Sequence, residues 1–262
     1  MEILIVKTSF KALTATWIVT FLSLFSLNAQ ADRPSYNFIS LEHVNRNIDN
    51  IIVDPFSMGI NEEDFSFDGF SLTGSIEIND KWFAELRYLD IEGDQVTRTG
   101  FTAPASSFSP TPSGAVTGTQ QSKFDTEARL TTTSIGYQVH QDENSSTFIA
   151  VGFASVDVEF TEHSEFIFRD ATGNIVPPAP WTPFTQTVSG SDSGAIVSAG
   201  YRVNLGRQIQ LGIRVDNMFI DDSEISFAGE LLYKFAKTFA LQISSEITDE
   251  ETQFGAGFRF IF

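Results

Sequence analysis

The sequence predicts an all-β chain built as one antiparallel up-and-down barrel of ten strands. Three observations carry that expectation. Beyond residue 32, apolar residues recur with a period of two, the period of a strand. The connections between alternating runs change regularly in length, as they do when hairpins meander around a closed sheet. Charged residues make up only 19% of the chain while Phe alone supplies 26 positions, a composition that excludes disorder throughout.

Residues 1–31 stand apart from this pattern and read as a cleaved secretory signal. Lys7 and Lys11 form its positive end, Trp17–Leu27 its apolar core, and Ala29-Gln30-Ala31 has the small-x-small form that signal peptidase accepts. The apolar core is shorter than the ~18 residues needed to cross a bilayer as a helix. Cleavage falls between Ala31 and Asp32, leaving residues 32–262 as one barrel domain with 14 basic and 33 acidic side chains, a net charge of −19.

The ten strands are expected at 36–47, 65–78, 82–92, 124–140, 147–164, 190–204, 208–220, 223–236, 238–248 and 251–262. The last is the clearest: Phe254, Ala256, Phe258, Phe260 and Phe262 alternate with Gly255, Gly257, Arg259 and Ile261. The same beat runs through Ile209, Leu211, Ile213 and Val215, and again through Ile225, Phe227, Leu231, Tyr233 and Phe235. The first strand is ambiguous, because Tyr36/Phe38 and Ile39/Leu41 favour opposite faces. Short turns follow at Asn79–Lys81, Gln141–Ser146, Leu205–Arg207 and Ala236-Lys237. Between them lie loops at 48–64, 93–123 and 165–189, of 17, 31 and 25 residues, two of them punctuated by Pro104, Pro110, Pro112, Pro177, Pro178, Pro180 and Pro183. Tight connections at Asp221-Asp222 and Asp249-Glu250 complete the series. Eight strands is the structural alternative.

Alternation alone does not say which face meets water. Strands of about 10–14 residues exceed the ~5–6 typical of soluble sheets and match the ~9–11 of a tilted membrane strand. Trp82, Tyr88, Tyr137, Tyr201, Tyr233, Phe239, Phe260 and Phe262 gather near strand ends, where rings form interfacial girdles. The polar faces carry Glu77, Glu85, Arg87, Arg202, Arg214, Asp216, Glu230, Lys234, Glu246 and Arg259, to which Asp157 and Glu159 are added by the same count. Facing lipid, each Arg would cost about 2–4 kcal/mol, so the apolar face is placed outward and the charges in the lumen. There Arg87, Arg202, Arg214 and Arg259 are expected to pair with Glu77, Glu85, Asp216, Glu230 or Glu246.

With these features the chain resembles the small bacterial outer-membrane β-barrel proteins, the uncharacterised porin-like and OmpA-like group. The resemblance spans residues 32–262 in pattern. It is motif-specific only in Phe254-Gly-Ala-Gly-Phe-Arg-Phe-Ile-Phe262, which is similar to the C-terminal assembly signal of such barrels, with Phe254, Phe258, Phe260 and Phe262 as its aromatic row. It implies the outer membrane of a Gram-negative bacterium, engagement of the barrel-assembly machinery, and contact with outer-membrane lipid and lipopolysaccharide. An even strand count puts both termini in the periplasm. The expected role is structural or surface-interacting with a charged, largely closed lumen. A small porin-like diffusion channel is the alternative, and an outer-membrane enzyme is third.

Little chemistry argues for an enzyme. The chain has no Cys and only His43, His140 and His163, so thiolate sites and a zinc centre lack material, and no cofactor is expected. Omptin proteases use an acidic pair with an Asp–His pair in Asp-x-His spacing. Here Glu162-His163 are neighbours that fall on opposite faces of a strand, with Glu165 and Asp221-Asp222 elsewhere. The His-x-Ser pair of outer-membrane lipid-A deacylases is also absent. A net charge of −18 argues against nucleic acid. Asp49, Asp54, Glu62, Glu63, Asp64, Asp90, Glu92, Asp94, Asp221, Asp222, Glu224, Asp249, Glu250 and Glu251 are assigned to outer loops. There they form a solvated rim, or bridge to lipopolysaccharide phosphates through divalent cations.

Overall fold

The computed structural model describes residues 33–53, 61–103, 105–108, 111–112, 114–176, 182–220 and 222–262. The signal segment with Ala31 and Asp32 lies outside the described residues, as do Asp54 and Asp221 and the side chains of Asp49, Glu62, Glu63, Asp64 and Asp222. The strands are β1 (Phe38–Val53), β2 (Asn61–Glu77), β3 (Trp82–Ala103), β4 (Val116–Gln141), β5 (Ser145–Arg169), the two-residue β6 (Ile175–Val176), β7 (Phe184–Leu205), β8 (Ile209–Ile220), β9 (Asp222–Lys234), β10 (Phe239–Ile247) and β11 (Glu251–Ile261).

Setting β6 aside as an annex to β5, ten strands pair in the order β4-β3-β2-β1-β11-β10-β9-β8-β7-β5, and a further β4–β5 pairing closes the ring. The chain ends meet along β1 and β11, antiparallel from Phe38↔Ile261 to Ile48↔Glu251. Closure leaves this part of the sheet without edges, which is how a barrel avoids unpaired backbone groups.

Several strands outrun the expected bounds. β3 continues to Ala103, β4 starts at Val116, β5 runs to Arg169 and β7 starts at Phe184, so much of 93–123 and 165–189 is strand and not loop. The physical reason is visible in the buried row of β4. There Gly118, Gln120 and Ser122 occupy inward positions that an apolar-periodicity reading takes for loop. Asp90, Glu92 and Asp94 are accordingly strand residues of β3, and Glu224 and Glu251 lie in β9 and β11.

The chain divides into two compact units. The first, residues 33–91, 129–156 and 192–262 of those described, contains segments of all ten barrel strands. Its exterior is apolar: Leu72, Leu86, Ile135, Val151, Ile213, Leu231, Leu241 and Phe258 are all exposed. So continuous an apolar surface is not tolerated in water and has the chemistry of a lipid-facing wall. Aromatic pairs mark both ends of this wall. Trp82 packs edge-on to Tyr137 at 4.9 Å and Phe239 packs against Phe260 at 5.2 Å near the chain termini, while Phe70 meets Tyr88 at 5.9 Å toward the other end.

The ambiguous first strand is resolved by burial. Tyr36 and Phe38 are 0% and 1% exposed, whereas Ile39 and Leu41 are 50% and 55% exposed. At these four positions the interior takes the aromatics and the exterior takes the aliphatics. Short turns at the terminal end are built by side-chain acceptors. Asn79 Oδ1 accepts from the Lys81 and Trp82 amides, and Asp142 Oδ1 from the Asn144 and Ser145 amides. Gly206 supplies the positive φ of 79° that the β7–β8 turn requires.

The second unit is residues 92–128 and 157–191, the remaining lengths of β3, β4, β5 and β7. It has its own apolar cluster of Ala103, Phe108, Val116, Phe166 and Phe168. Beside it sits a buried polar group in which Ser122 and Ser164 both donate to Glu162 Oε1, at 3.1 and 2.6 Å.

Candidate functional site: the interior charge network

Every second residue of a barrel strand points inward. In the first unit that rule puts Glu85 and Arg87 of β3, Arg202 of β7, Arg214 and Asp216 of β8, Glu230 of β9 and Arg259 of β11 into one interior. Arg87 Nη2 donates to Asp216 Oδ2 at 3.2 Å, and Arg214 Nη1 to Glu85 Oε1 at 3.3 Å. In the pairing order β3 and β8 are four strands apart by the shorter route, so both contacts cross the interior instead of running along one wall.

The remaining contacts tie these pairs together. Arg214 Nε lies 2.9 Å from Asp216, and Arg87 Nε lies 3.5 Å from Glu85. Arg202 stands 3.8 Å from Glu85 and 3.4 Å from Glu230, and Arg259 stands 2.7 Å from Glu230. Glu42 of β1 joins by accepting from Ser244 Oγ at 2.6 Å. Four guanidinium groups thus balance against three carboxylates in direct contact, Glu85, Asp216 and Glu230, with Glu42 and Glu246 on the same cavity wall. That balance matters, because each charge removed from water costs several kcal/mol unless paired and hydrogen-bonded. A polar cavity of about 100 Å³ remains among them, lined also by Gln242, Glu246 and Gln253. Both signs and several amides at its surface make it a place for ordered water.

Toward the terminal end the network gives way to aromatics. Tyr36, Phe83 and Phe148 pack with centroid distances of 4.3 to 5.9 Å. The Arg202 guanidinium lies 4.4 Å from the Tyr36 ring centroid and that of Arg259 lies 3.9 Å from Phe38, so both cations are held by ring faces as well as carboxylates. The Tyr36 hydroxyl and Ser146 Oγ are 3.1 Å apart. Arg33 pairs with Glu77 at 2.9 Å just beyond. Toward the other end Arg46 of β1 pairs with Glu251 of β11.

Not every expected residue falls in this set. Glu77 is taken by Arg33, and Lys234 donates to Asn204 Oδ1 at 3.2 Å. Asp157 and Glu159 do not face the interior as expected: both are exposed on the odd-numbered face of β5, opposite the buried row Glu162, Ser164, Phe166. Tyr36, Glu42 and Arg46 were not legible as interior groups, since the first strand carried no clean alternation. Phe254, Phe258, Phe260 and Phe262 all lie exposed on the outer face of the closing strand.

His163 is exposed, 2.8 Å from the Thr185 hydroxyl, while Glu162 is buried on the opposite face of β5. His43 and Asp68 approach to 3.7 Å on the exposed face of β1 and β2. Among the described residues no group of three His, Asp or Glu side chains is placed to hold a metal ion.

No protein-family model and no curated protein matches the chain. Solved structures do. The outer-membrane protease OmpT of Escherichia coli aligns over 91% of this chain and 99% of its own, with 9% identity and a TM-score of 0.51. OprG of Pseudomonas aeruginosa aligns over 90% and 99%, at 12% identity and 0.35. Ail, the attachment invasion locus protein of Yersinia pestis, aligns over 86% and 100%, at 15% identity and 0.31. At such identities the likeness speaks for the fold, which is that of the outer-membrane β-barrels.

Proposed function

We propose that the chain is an integral outer-membrane protein whose lumen is closed by its own charges and whose role is structural or exerted through its surface. The observation that carries the reading is the pair of contacts across the interior, Arg214 to Glu85 and Arg87 to Asp216. A path for ions through this level would have to part ion pairs whose charges are poorly compensated once separated. The aromatic layer of Tyr36, Phe83 and Phe148 supports the same reading at a second level.

In this reading the chain matures at Asp32, both termini face the periplasm, and Phe262 presents the last strand to the barrel-assembly machinery. The apolar exterior contacts outer-membrane lipid. Acidic side chains outside the wall meet lipopolysaccharide phosphates through divalent cations, since direct approach of two anionic groups is unfavourable. Conductance of the purified, refolded chain in planar bilayers tests the closed lumen. Stable single-channel steps from the wild-type chain would replace it with the diffusion-channel reading.

A further inference from the structure

The second unit holds a length of strand with one edge along which no described strand pairs. On one side β7 pairs with β5, and cross-strand contacts fix the register: the Thr161 and Thr187 hydroxyls are 3.0 Å apart, and His163 Nδ1 is 2.8 Å from Thr185 Oγ1. On the other side β8 joins β7 only from Ala195↔Phe219 onward. Among the described residues no strand pairs with the second edge of Thr185–Ser191. In an antiparallel sheet every second residue of an edge strand turns its N–H and C=O away from the neighbour it already has. The side chains of this segment are exposed on both faces, so nothing described covers those groups.

Natural sheets blunt an open edge with Lys, Pro, a bulge or an inward charge, because the edge is a template for another strand. Thr185-Gln-Thr-Val-Ser-Gly-Ser191 contains no Lys, no Pro and no charge at all. Thr185, Thr187 and Val188 are strand-favouring residues, and Thr and Ser side chains hydrogen-bond well to like residues directly opposite.

We infer that Thr185–Ser191 is a docking edge for an extended segment of another protein, which adds to β7 main chain to main chain and carries basic residues at its flanks. Electrostatics chooses that occupant over a second copy of the chain. The second unit contains nine acidic residues against three basic ones, and Asp157, Glu159 and Glu165 are exposed on β5 beside the edge. Two copies meeting edge to edge would oppose like charge, whereas a basic segment relieves it. The backbone supplies affinity and the flanking charge supplies selectivity. This inference deepens the surface-interaction part of the proposed function and is independent of whether the lumen conducts.

The test uses the refolded full chain in detergent micelles and a nine-residue peptide of alternating Thr and Val with Lys at both ends. Hydrogen exchange is followed at residues 185–191 with and without peptide. Because the chain has no Cys, Ser189→Cys creates a single thiol for disulfide trapping of the same peptide carrying a central Cys, and Thr119→Cys on β4 is the control. The expected result is at least about tenfold slower exchange at alternate amides of 185–191, with trapping at position 189 well above position 119. The Lys-ended peptide should outcompete a Glu-ended one. Unchanged exchange at millimolar peptide, or equal trapping at both positions, overturns the inference. Disulfide-linked chain dimers of Ser189→Cys forming in preference to the peptide adduct would overturn it in favour of a second copy.

Discussion

Arg259 on β11 donates from Nη2 to Glu230 Oε2 on β9 at 2.7 Å, reaching over the intervening strand β10. Its Nε donates to Gln242 of that same β10 at 2.9 Å, so one guanidinium ties three neighbouring strands from the inside. The side chain is 3% exposed, which makes it a structural clamp and not a solvated charge.

Removing that clamp should be costly in a specific way. Arg259→Met leaves Glu230 with Arg202 as its remaining ion-pair partner, and a loss of about 3 kcal/mol is expected, the low end for a broken buried pair. Arg259→Met combined with Glu230→Met should recover most of it, since an ion pair replaced by apolar groups of similar volume is often neutral. Urea unfolding of the singles and the double in a mutant cycle measures the coupling. Additive losses would show that the pair does not act as a unit.

The aromatic layer leaves β4 no space for a side chain at Gly136. A Cβ placed on Gly136 would lie 2.1 Å from Phe83 Cζ, and Phe83 is 1% exposed between Tyr36 and Phe148. The ring lies flat where β4 has no side chain, and it has no room to withdraw. Gly136→Ala should therefore destabilise the barrel by about 1–3 kcal/mol through overpacking. Phe83→Leu in the same chain should return part of that loss, and thermal unfolding of the three variants reads it.

The barrel was legible in the sequence because lipid imposes on exposed strand faces the alternation that a core imposes on buried ones. Leu211, Ile213 and Val215 against Gln210, Gly212 and Arg214 need no structure to be sorted. The strands of the second unit were not legible for the opposite reason. Along β4 both the buried row, Gly118, Gln120 and Ser122, and the opposite row, Thr117, Thr119 and the half-buried Gln121, are polar or small, so period two carried no hydrophobic signal. Glu42 escaped notice because Tyr36 and Phe38 are aromatic on the inner side of β1 while Ile39 and Leu41 are aliphatic on the outer. The partners within the interior depend on which strands face each other across it. Parity sorts inside from outside and says nothing of opposite walls.

At the C-terminus, Phe262 is exposed, its amide bonds to the Asn37 carbonyl at 3.1 Å, and its ring stacks on Phe260 at 5.9 Å. Phe262→Asp should cost the folded barrel no more than one aromatic's burial, about 1.5–3 kcal/mol. If Phe262 carries the proposed assembly signal, the yield of assembled protein in cells should fall further than that stability loss predicts, because the backbone pairing of β11 stays intact while the signal is gone. Comparing membrane-inserted yield with in vitro refolding yield separates the two. Parallel losses would remove the assembly role from Phe262.

The β4–β5 turn gives a pH-dependent outcome with a definite sign. Asp142 Oδ1 accepts from the Asn144 amide at 2.8 Å and the Ser145 amide at 2.6 Å, and Oδ2 accepts from the Ser145 hydroxyl at 3.0 Å. These donors, the Asn144 amide foremost, hold the Asp142 carboxyl below the usual carboxylate range, with the His140 ring nitrogen 3.5 Å away adding to the effect. A depressed folded-state value means the unfolded chain binds the proton more readily. The turn's stabilisation is then complete above the ordinary Asp range and is lost as pH falls through the folded value. Exchange of the Asn144 and Ser145 amides should accelerate, relative to the intrinsic rate, on acidification through that window. Asp142→Asn should flatten the dependence, because the amide oxygen still accepts but no longer titrates. A profile identical in wild type and Asp142→Asn would assign the acid response of this turn to another group.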